Sequence, residues 1–214
     1  AVLLSDDDQN TAYGMNKLVV VPSNPPASAG PATKPAVYMP TLDRAVSNVA
    51  WSADGQHLSF LLQDDRTTHV ATVPAENPNG TPQRKSTGRR VVSALSPGKD
   101  GNFAVLSTSP TQFTEVYALE GGNLRQLTKH NDRLAAELQL ATTEDFQSKS
   151  KDGTDVHGLI VKPAGFKAGT KYPLLVLIHG GPTGTSRPVP LGGYVYPVAQ
   201  FLARGSLVLE PNYR

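Results

Sequence analysis

The 214-residue chain carries 20 Lys and Arg against 18 Asp and Glu, a formal net charge of +2 without long charged blocks, which argues against a nucleic-acid groove or a basic membrane-binding patch. A hydrophobic fraction of 38% suffices for a core, and the absence of cysteine excludes disulfides, thiolate catalysis and cysteine-ligated zinc. No apolar run reaches the roughly 18 residues of a membrane helix. The balanced charge favours a small-molecule or peptide partner. The opening AVLLSDDDQ lacks the basic region of a signal peptide, and the compartment stays open.

Up to about Leu140 the chain consists of short strand-like segments separated by Gly, Pro, Asn and Asp. The segments are NKLVVV, HLSFLL, THVATV, NFAVLS and TEVYAL, and convincing amphipathic helices are missing. Residues 1–140 are therefore predicted to be all-β. Two stretches are interpreted as solvated loops: Asp6–Asp8, which lacks the glycine and distal glutamate of an EF-hand, and Pro22–Pro35, which is too rich in Pro, Ala and Ser to pack.

A weak internal repeat suggests how these strands are organised. NVAWSADGQHLSF (Asn48–Phe60) and VSALSPGKDGNFAVL (Val92–Leu106) share an apolar-x-Ser element, a Gly/Asp turn and a following strand. Their spacing fits four-stranded propeller blades, although two ordinary hairpins with similar turns would give the same pattern. The repeat favours a β-propeller, and Trp51 in the first copy is expected to pack in its core.

After Leu140 the pattern becomes mixed α/β. EDFQSKSKDGTDVHGLIVKP predicts an antiparallel hairpin, because Asp152-Gly153 supplies the positive φ angles of a tight turn. KYPLLVLIH is continuously apolar, which is typical of a strand covered on both faces. Pro197–Arg204 predicts a helix of two to three turns with Pro197 at its first position, stopped by Gly205, and Ser206–Glu210 predicts a strand ended by Pro211. Strand, helix and strand would form a right-handed parallel crossover.

The glycine turn His179-Gly180-Gly181-Pro182 follows the apolar run, at the edge where ligands bind in parallel sheets. Glycine lets the backbone bend sharply and lets a ligand oxygen approach a bare N–H, and such amides can stabilise an oxyanion. A turn that only makes the corner would have the same composition. A phosphate loop is excluded on pattern, since neither G-x-x-x-x-G-K-[ST] nor G-x-G-x-x-G is present.

The stretches WSADG, SKDGTDVHGLIVKP, KYPLLVLIHGGP and ARGSLVLEPNYR, taken in order, resemble the prolyl oligopeptidase family of serine peptidases, in particular its acylaminoacyl-peptidase-like and bacterial dipeptidyl-peptidase-like branch. The specific part runs from about Lys149 to Arg214. The resemblance implies a β-propeller over an α/β-hydrolase domain, with a catalytic serine between them and peptides cleaved near an end. It also implies that Gly181 is a backbone donor of the oxyanion hole.

His179 stands where some relatives place a tyrosine, and it is interpreted as a residue that shapes the loop rather than a catalytic base. Arg214 matches a family arginine, and its role is left unassigned between structure and substrate edge. The other histidines stand singly, without metal-binding spacing; they are His57, His69, His130 and His157. No cofactor or metal is therefore expected.

No G-x-S-x-G nucleophile elbow is present. In hydrolase order the serine, acid and histidine would then all lie beyond Arg214. Residues 1–140 are expected to be the last blades of a partial propeller and residues 141–214 the first part of the hydrolase domain. The expected partners are a peptide substrate and the remainder of the same polypeptide. One alternative is a propeller binding module with a non-catalytic α/β appendage. Another is a simple esterase, against which the propeller-like half argues.

Overall fold

The computed structural model describes residues 1–5, 14–23, 35–181, 184–190 and 196–212. Within these ranges most of the chain is β-structure in three sheets. The acidic run Asp6–Asp8 and most of the proline-rich stretch lie outside the described residues. No helix in the described ranges has the length and apolar character needed to cross a membrane.

The first sheet is a three-stranded antiparallel unit at the start of the chain. It contains β1 (Val2–Ser5), β2 (Asn16–Val20) and β3 (Ala36–Tyr38), in that order. Leu18 and Tyr38 are buried in one cluster with Leu58 and Phe60 of the next sheet. The first two sheets therefore share a core.

The second sheet contains eight strands. These are β4 (Val46–Trp51), β5 (His57–Asp64), β6 (Thr67–Pro74), β7 (Gln83–Arg84), β8 (Val91–Pro97), β9 (Phe103–Ser109), β10 (Gln112–Glu120) and β11 (Asn123–Gln126). Strands β4 to β7 pair antiparallel in chain order, and so do β8 to β11. The two sets of four are joined where β6 and β8 run parallel, with Thr68 opposite Val91.

The two copies of the sequence repeat form equivalent hairpins, β4–β5 and β8–β9. In each, the first strand carries a register shift, between Ser47 and Ala50 in one and between Val92 and Ala94 in the other. The prediction that Trp51 packs in the core is wrong. Trp51 is 42% exposed, because it is the last residue of β4, where the strand leaves the sheet.

The third sheet follows a short helix, α1 (Asp132–Glu137). Its strands are β12 (Thr142–Lys149), β13 (Asp155–Lys162), β14 (Leu174–Val176) and β15 (Leu207–Asn212), and α2 (Val198–Ala203) connects the last two. The order is β12-β13-β15-β14, with an antiparallel β12–β13 hairpin and a parallel β14–β15 pair. The predicted hairpin and parallel crossover are confirmed. The division into domains at residue 140 stays a prediction.

Three details of the crossover differ from the prediction. The apolar run KYPLLVLIH is not covered on both faces in the described structure: β14 is short, and Leu174, Val176 and the following Ile178 are exposed, Ile178 at 66%. The reason is that only the face carrying Leu175 packs on the cluster around α2, and nothing in the described ranges covers the opposite face. Helix α2 has six residues, less than two turns, and Pro197 is its N-cap.

Strand β15 does not stop at Pro211 but runs through it to Asn212. Pro211 lies opposite Gly158 of β13, and an ideal Cβ on Gly158 would be 2.6 Å from the Glu210 carbonyl oxygen and 2.9 Å from Pro211 Cα. Because Gly158 has no side chain, the two backbones can approach this closely. The pairing therefore carries β15 past the proline and places Asn212 beside the glycine turn.

Candidate active site

The glycine turn lies at the carboxyl end of the parallel β14–β15 pair. Leu177 N–H donates to Leu209 O over 2.9 Å and continues the pairing one step beyond β14. The chain then leaves the sheet at His179, and Gly180 and Gly181 follow with exposed backbones. The predicted place of the turn, behind a strand of a parallel pair, is thus confirmed. Ligands of such sheets bind outside the carboxyl ends of parallel strands.

Gly181 adopts a backbone conformation that side chains disfavour. Its φ is +137°, in the region where glycine avoids the steric cost of a Cβ. Among the residues that the structure describes, neither the Gly180 nor the Gly181 N–H has a hydrogen-bond acceptor. A substrate oxygen that reaches this turn would therefore meet an available donor.

The orientation of the Gly181 N–H is fixed by the carbonyl of the same peptide. His179 Nδ1 is 3.2 Å from Gly180 O, and the carbonyl accepts this hydrogen bond. Gly184 packs on the same oxygen so closely that an ideal Cβ on Gly184 would lie 2.5 Å from it. Because a trans peptide directs its C=O and N–H in opposite directions, the Gly181 N–H points away from His179 and Gly184.

The segment after the turn is held by β15. Ser186 N–H donates to Asn212 Oδ1 over 2.7 Å, and Asn212 Nδ2 donates to Ser186 O over 3.3 Å. One carboxamide thus satisfies both backbone groups of Ser186, as a paired strand would.

A second anchor comes from the eight-stranded sheet. Gln63 of β5 donates through Nε2 to the Thr185 hydroxyl and accepts at Oε1 from Arg187 Nη2 over 3.1 Å. The segment 184–187 therefore bridges two sheets.

A cavity of about 390 Å³ opens between these elements, a volume within the range of small-ligand sites. Its lining includes Ile178, His179, Arg187, Tyr196 just before α2, and Val91 from the eight-stranded sheet. The cavity reaches the glycine turn through His179, rather than through Gly180 or Gly181, and reaches the neighbouring sheet through Val91.

The chain is similar in sequence to known peptidases. The chain is 28% identical over 134 residues to an uncharacterised peptidase, YuxL, of Bacillus subtilis, covering 62% of this chain and 20% of that protein. It is 32% identical over 148 residues to a probable dipeptidyl-peptidase 5 of Arthroderma benhamiae, covering 67% of this chain and 20% of the relative. The chain thus spans about a fifth of the length of the curated relatives it matches.

The fold is similar to that of solved acylaminoacyl peptidases. The uncomplexed acylaminoacyl peptidase of Pyrococcus horikoshii superposes with a TM-score of 0.69 at 19% identity, over 94% of this chain and 28% of that one. No protein-family model matches the chain. The chain belongs to the prolyl oligopeptidase family of peptidases.

In this member of the prolyl oligopeptidase family, the residues predicted from sequence are only partly brought together. Gly181 and His179 are neighbours in the exposed turn, whereas Arg214 and Pro182 lie outside the described residues. His57 is exposed. His157 lies opposite Asn212 in the β13–β15 pair, and its Nδ1 contacts Asp65 Oδ2 at 2.9 Å. In the described ranges no group of three His, Asp or Glu side chains is placed to hold a metal ion.

Four residues of the site were missed by the sequence interpretation. They are Gln63, Gly184, Glu210 and Asn212, of which only Gly184 had a local signal, a third glycine close behind HGGP. Glu210 lines the cavity, and burial raises the pKa of its carboxyl group, while a hydrogen bond with Ser186 and the charge of His179 act less strongly in the opposite direction. The cavity thus contains a partly desolvated carboxyl group.

A larger cavity of about 850 Å³ lies elsewhere in the molecule. It is lined by the turns of the two repeat hairpins, including Asp54, His57, Lys99 and Asp100, and by Arg84 of β7. Since none of its lining residues belongs to the third sheet, we treat it as separate from the glycine turn.

Proposed function

We propose that the chain is part of a serine peptidase that hydrolyses short peptides or N-acylated peptides by acyl transfer, with its nucleophile outside this segment. The supporting observation is the exposed turn at Gly180 and Gly181, whose N–H groups lack acceptors in the described structure. The peptidase relatives and the fold likeness add to it. In this proposal residues 1–140 supply blades of a propeller, in keeping with the two sets of four antiparallel strands.

The chemistry assigned to this chain is electrostatic. When a serine attacks the substrate carbonyl, negative charge develops on the carbonyl oxygen, and Gly181 N–H would donate to it. The donor is oriented beforehand by the contacts of Gly180 O with His179 and Gly184. A preorganised donor of this kind typically lowers the barrier by about 3 kcal/mol.

The complete protein should react with a fluorophosphonate at one serine, and mass spectrometry of the labelled peptide should place that serine after Arg214 in sequence. The same preparation should hydrolyse dipeptidyl or N-acetylaminoacyl p-nitroanilides. A protein that is neither labelled nor active would contradict the peptidase proposal and favour the alternative, a propeller-type binding module with a non-catalytic α/β appendage.

Replacing Gly181 with alanine should lower kcat by roughly 100-fold, because a Cβ is disfavoured at this φ and the peptide would rotate away from the oxyanion. Steady-state kinetics on the complete protein measure the change. Gly153→Ala is the matched control, since Gly153 has a φ of +85° in the β12–β13 turn and nothing lies within 4 Å of its ideal Cβ position. A comparable loss in both variants would contradict a catalytic role for Gly181.

A further inference from the structure

Residues 184–187 lie between the glycine turn and two side chains that are far from it in sequence. On one side, Asn212 binds both backbone groups of Ser186, with hydrogen bonds of 2.7 and 3.3 Å. On the other side, Gln63 forms hydrogen bonds with the Thr185 hydroxyl and the Arg187 guanidinium. We call this arrangement of Gln63, Asn212 and residues 184–187 the carboxamide clamp.

The clamp acts on the turn through Gly184. This glycine precedes Thr185 directly, and its backbone packs on Gly180 O with no room for a side chain between them. A shift of the clamped segment would therefore move the surface on which the Gly180 carbonyl rests. Since that carbonyl and the Gly181 N–H belong to one planar peptide, their orientations change together.

The two anchors of the carboxamide clamp lie in different sheets. Asn212 ends β15 of the third sheet, whereas Gln63 belongs to β5 of the eight-stranded sheet. The orientation of the turn thus depends on how the two sheets are placed.

We propose that Gln63 and Asn212 are positioning residues that, through the carboxamide clamp, hold the Gly181 N–H in the direction required for oxyanion stabilisation. This inference rests on the proposed peptidase function. Neither residue touches the reacting atoms in the proposal; each acts through residues 184–187.

The test uses four variants of the complete protein. Gln63→Leu and Asn212→Ala remove the hydrogen bonds of each anchor. Gln63→Glu is the conservative variant, because its oxygens can still accept from Arg187 and from the rotatable Thr185 hydroxyl. Asn123→Ala is the control, an exposed carboxamide at the start of β11.

We expect Gln63→Leu and Asn212→Ala to lower kcat by at least about 10-fold, because small misplacements of a catalytic group are costly. KM should change less than about twofold, since the interaction is made in the transition state. Gln63→Glu should recover most of the activity, and Asn123→Ala should match the wild type. Amide hydrogen exchange of peptides spanning residues 177–187 should be faster in the two disruptive variants only.

The outcomes separate the clamp from the peptidase proposal. An active wild type whose kcat and hydrogen exchange are unchanged by both disruptive variants would overturn the clamp and leave the peptidase intact. The clamp proposal would also be overturned if the disruptive variants lost thermal stability together with activity and Gln63→Glu recovered neither, since this indicates general destabilisation. A wild type that is inactive and unlabelled would end the peptidase proposal and the catalytic purpose of the clamp, while unchanged exchange would still rule out the clamp itself.

Discussion

At the scale of single residues, His69 shows how burial sets protonation in the shared core. The side chain lies in β6 and is 3% exposed, with Nε2 2.9 Å from the Thr67 hydroxyl oxygen and Nδ1 3.5 Å from the Ser86 hydroxyl oxygen. Burial lowers the pKa of His69, and the contact with Ser86 offsets this only in part. Folding therefore favours the neutral imidazole of His69.

Stability should fall as the pH drops below about 6.5, the ordinary pKa of histidine. There the unfolded chain binds a proton at His69 that the folded chain rejects, so the free energy of unfolding decreases with decreasing pH. Urea denaturation at pH 7.5 and pH 5.5 measures the difference. His69→Gln should weaken this dependence, whereas His57→Gln, on an exposed residue of β5, should leave it in place; identical profiles for wild type and His69→Gln would refute the assignment.

At the scale of elements, the pairing of β13 with β15 determines where the third sheet ends. Proline inside a sheet is normally disfavoured because it cannot donate to the ladder, yet Pro211 is paired and the strand continues to Asn212. The absent side chain of Gly158 makes room for this. The position of Asn212, and with it one anchor of the clamp, therefore depends on one glycine of the neighbouring strand.

Gly158→Ala should destabilise the protein by about 2 kcal/mol or more, because the added Cβ would meet backbone atoms that cannot rotate away. The midpoint of urea unfolding, with an unchanged m-value, measures the loss. Gly153→Ala provides the comparison, with a cost of about 1 kcal/mol for a side chain at positive φ in an open turn. Equal effects of the two substitutions would contradict the steric explanation.

At the scale of the whole molecule, charged side chains connect the eight-stranded sheet to the third sheet. Arg66, whose side chain is 16% exposed, contacts Asp65 at 2.9 Å and Asp145 of β12 at 3.5 Å. It also lies within hydrogen-bond distance of the carbonyl oxygens of Phe146 and Gly158, at 3.4 and 3.3 Å. One guanidinium thus contacts two strands of the third sheet.

A second arginine reinforces this connection. Arg89 donates to Thr143 O over 2.7 Å and to Asp145 Oδ1 over 2.8 Å. Because Asp145 receives both guanidinium groups but is half exposed, its charge is screened by solvent. We therefore expect that removing the Arg66 guanidinium lowers the free energy of unfolding more than removing the charge of Asp145 does.

Arg66→Met should lower the free energy of unfolding by about 2 kcal/mol, since charged hydrogen bonds to backbone and carboxylate oxygens are lost together. Asp145→Asn should cost less than about 1 kcal/mol. Arg133→Met is the control, because Arg133 pairs with Glu137 on α1 with its side chain 90% exposed, and we expect almost no effect. Urea unfolding at low and high salt tests this ranking, and an Arg66→Met variant as stable as Arg133→Met would contradict it.

The local features of the fold followed from the sequence. The Asp152-Gly153 turn, the parallel crossover and the glycine turn behind β14 were predicted in their observed places. Turn geometry and the character of a strand depend on neighbouring residues, so a single sequence contains them. The repeat favoured propeller blades over two ordinary hairpins, and that prediction stays open. Its two copies form equivalent hairpins, whose first strands, β4 and β8, both carry a register shift.

The exposed face of β14, the continuation of β15 through Pro211 and the partners of residues 184–187 were decided by the tertiary structure. Gln63 is more than a hundred positions from Thr185 in sequence, and nothing in either local sequence indicates the contact. A side chain's partner depends on where the sheets bring distant strands together, whereas a turn depends on its own few residues. The sequence by itself determined the glycine turn and its place behind β14, and only the packing of two sheets decided which distant side chains hold residues 184–187.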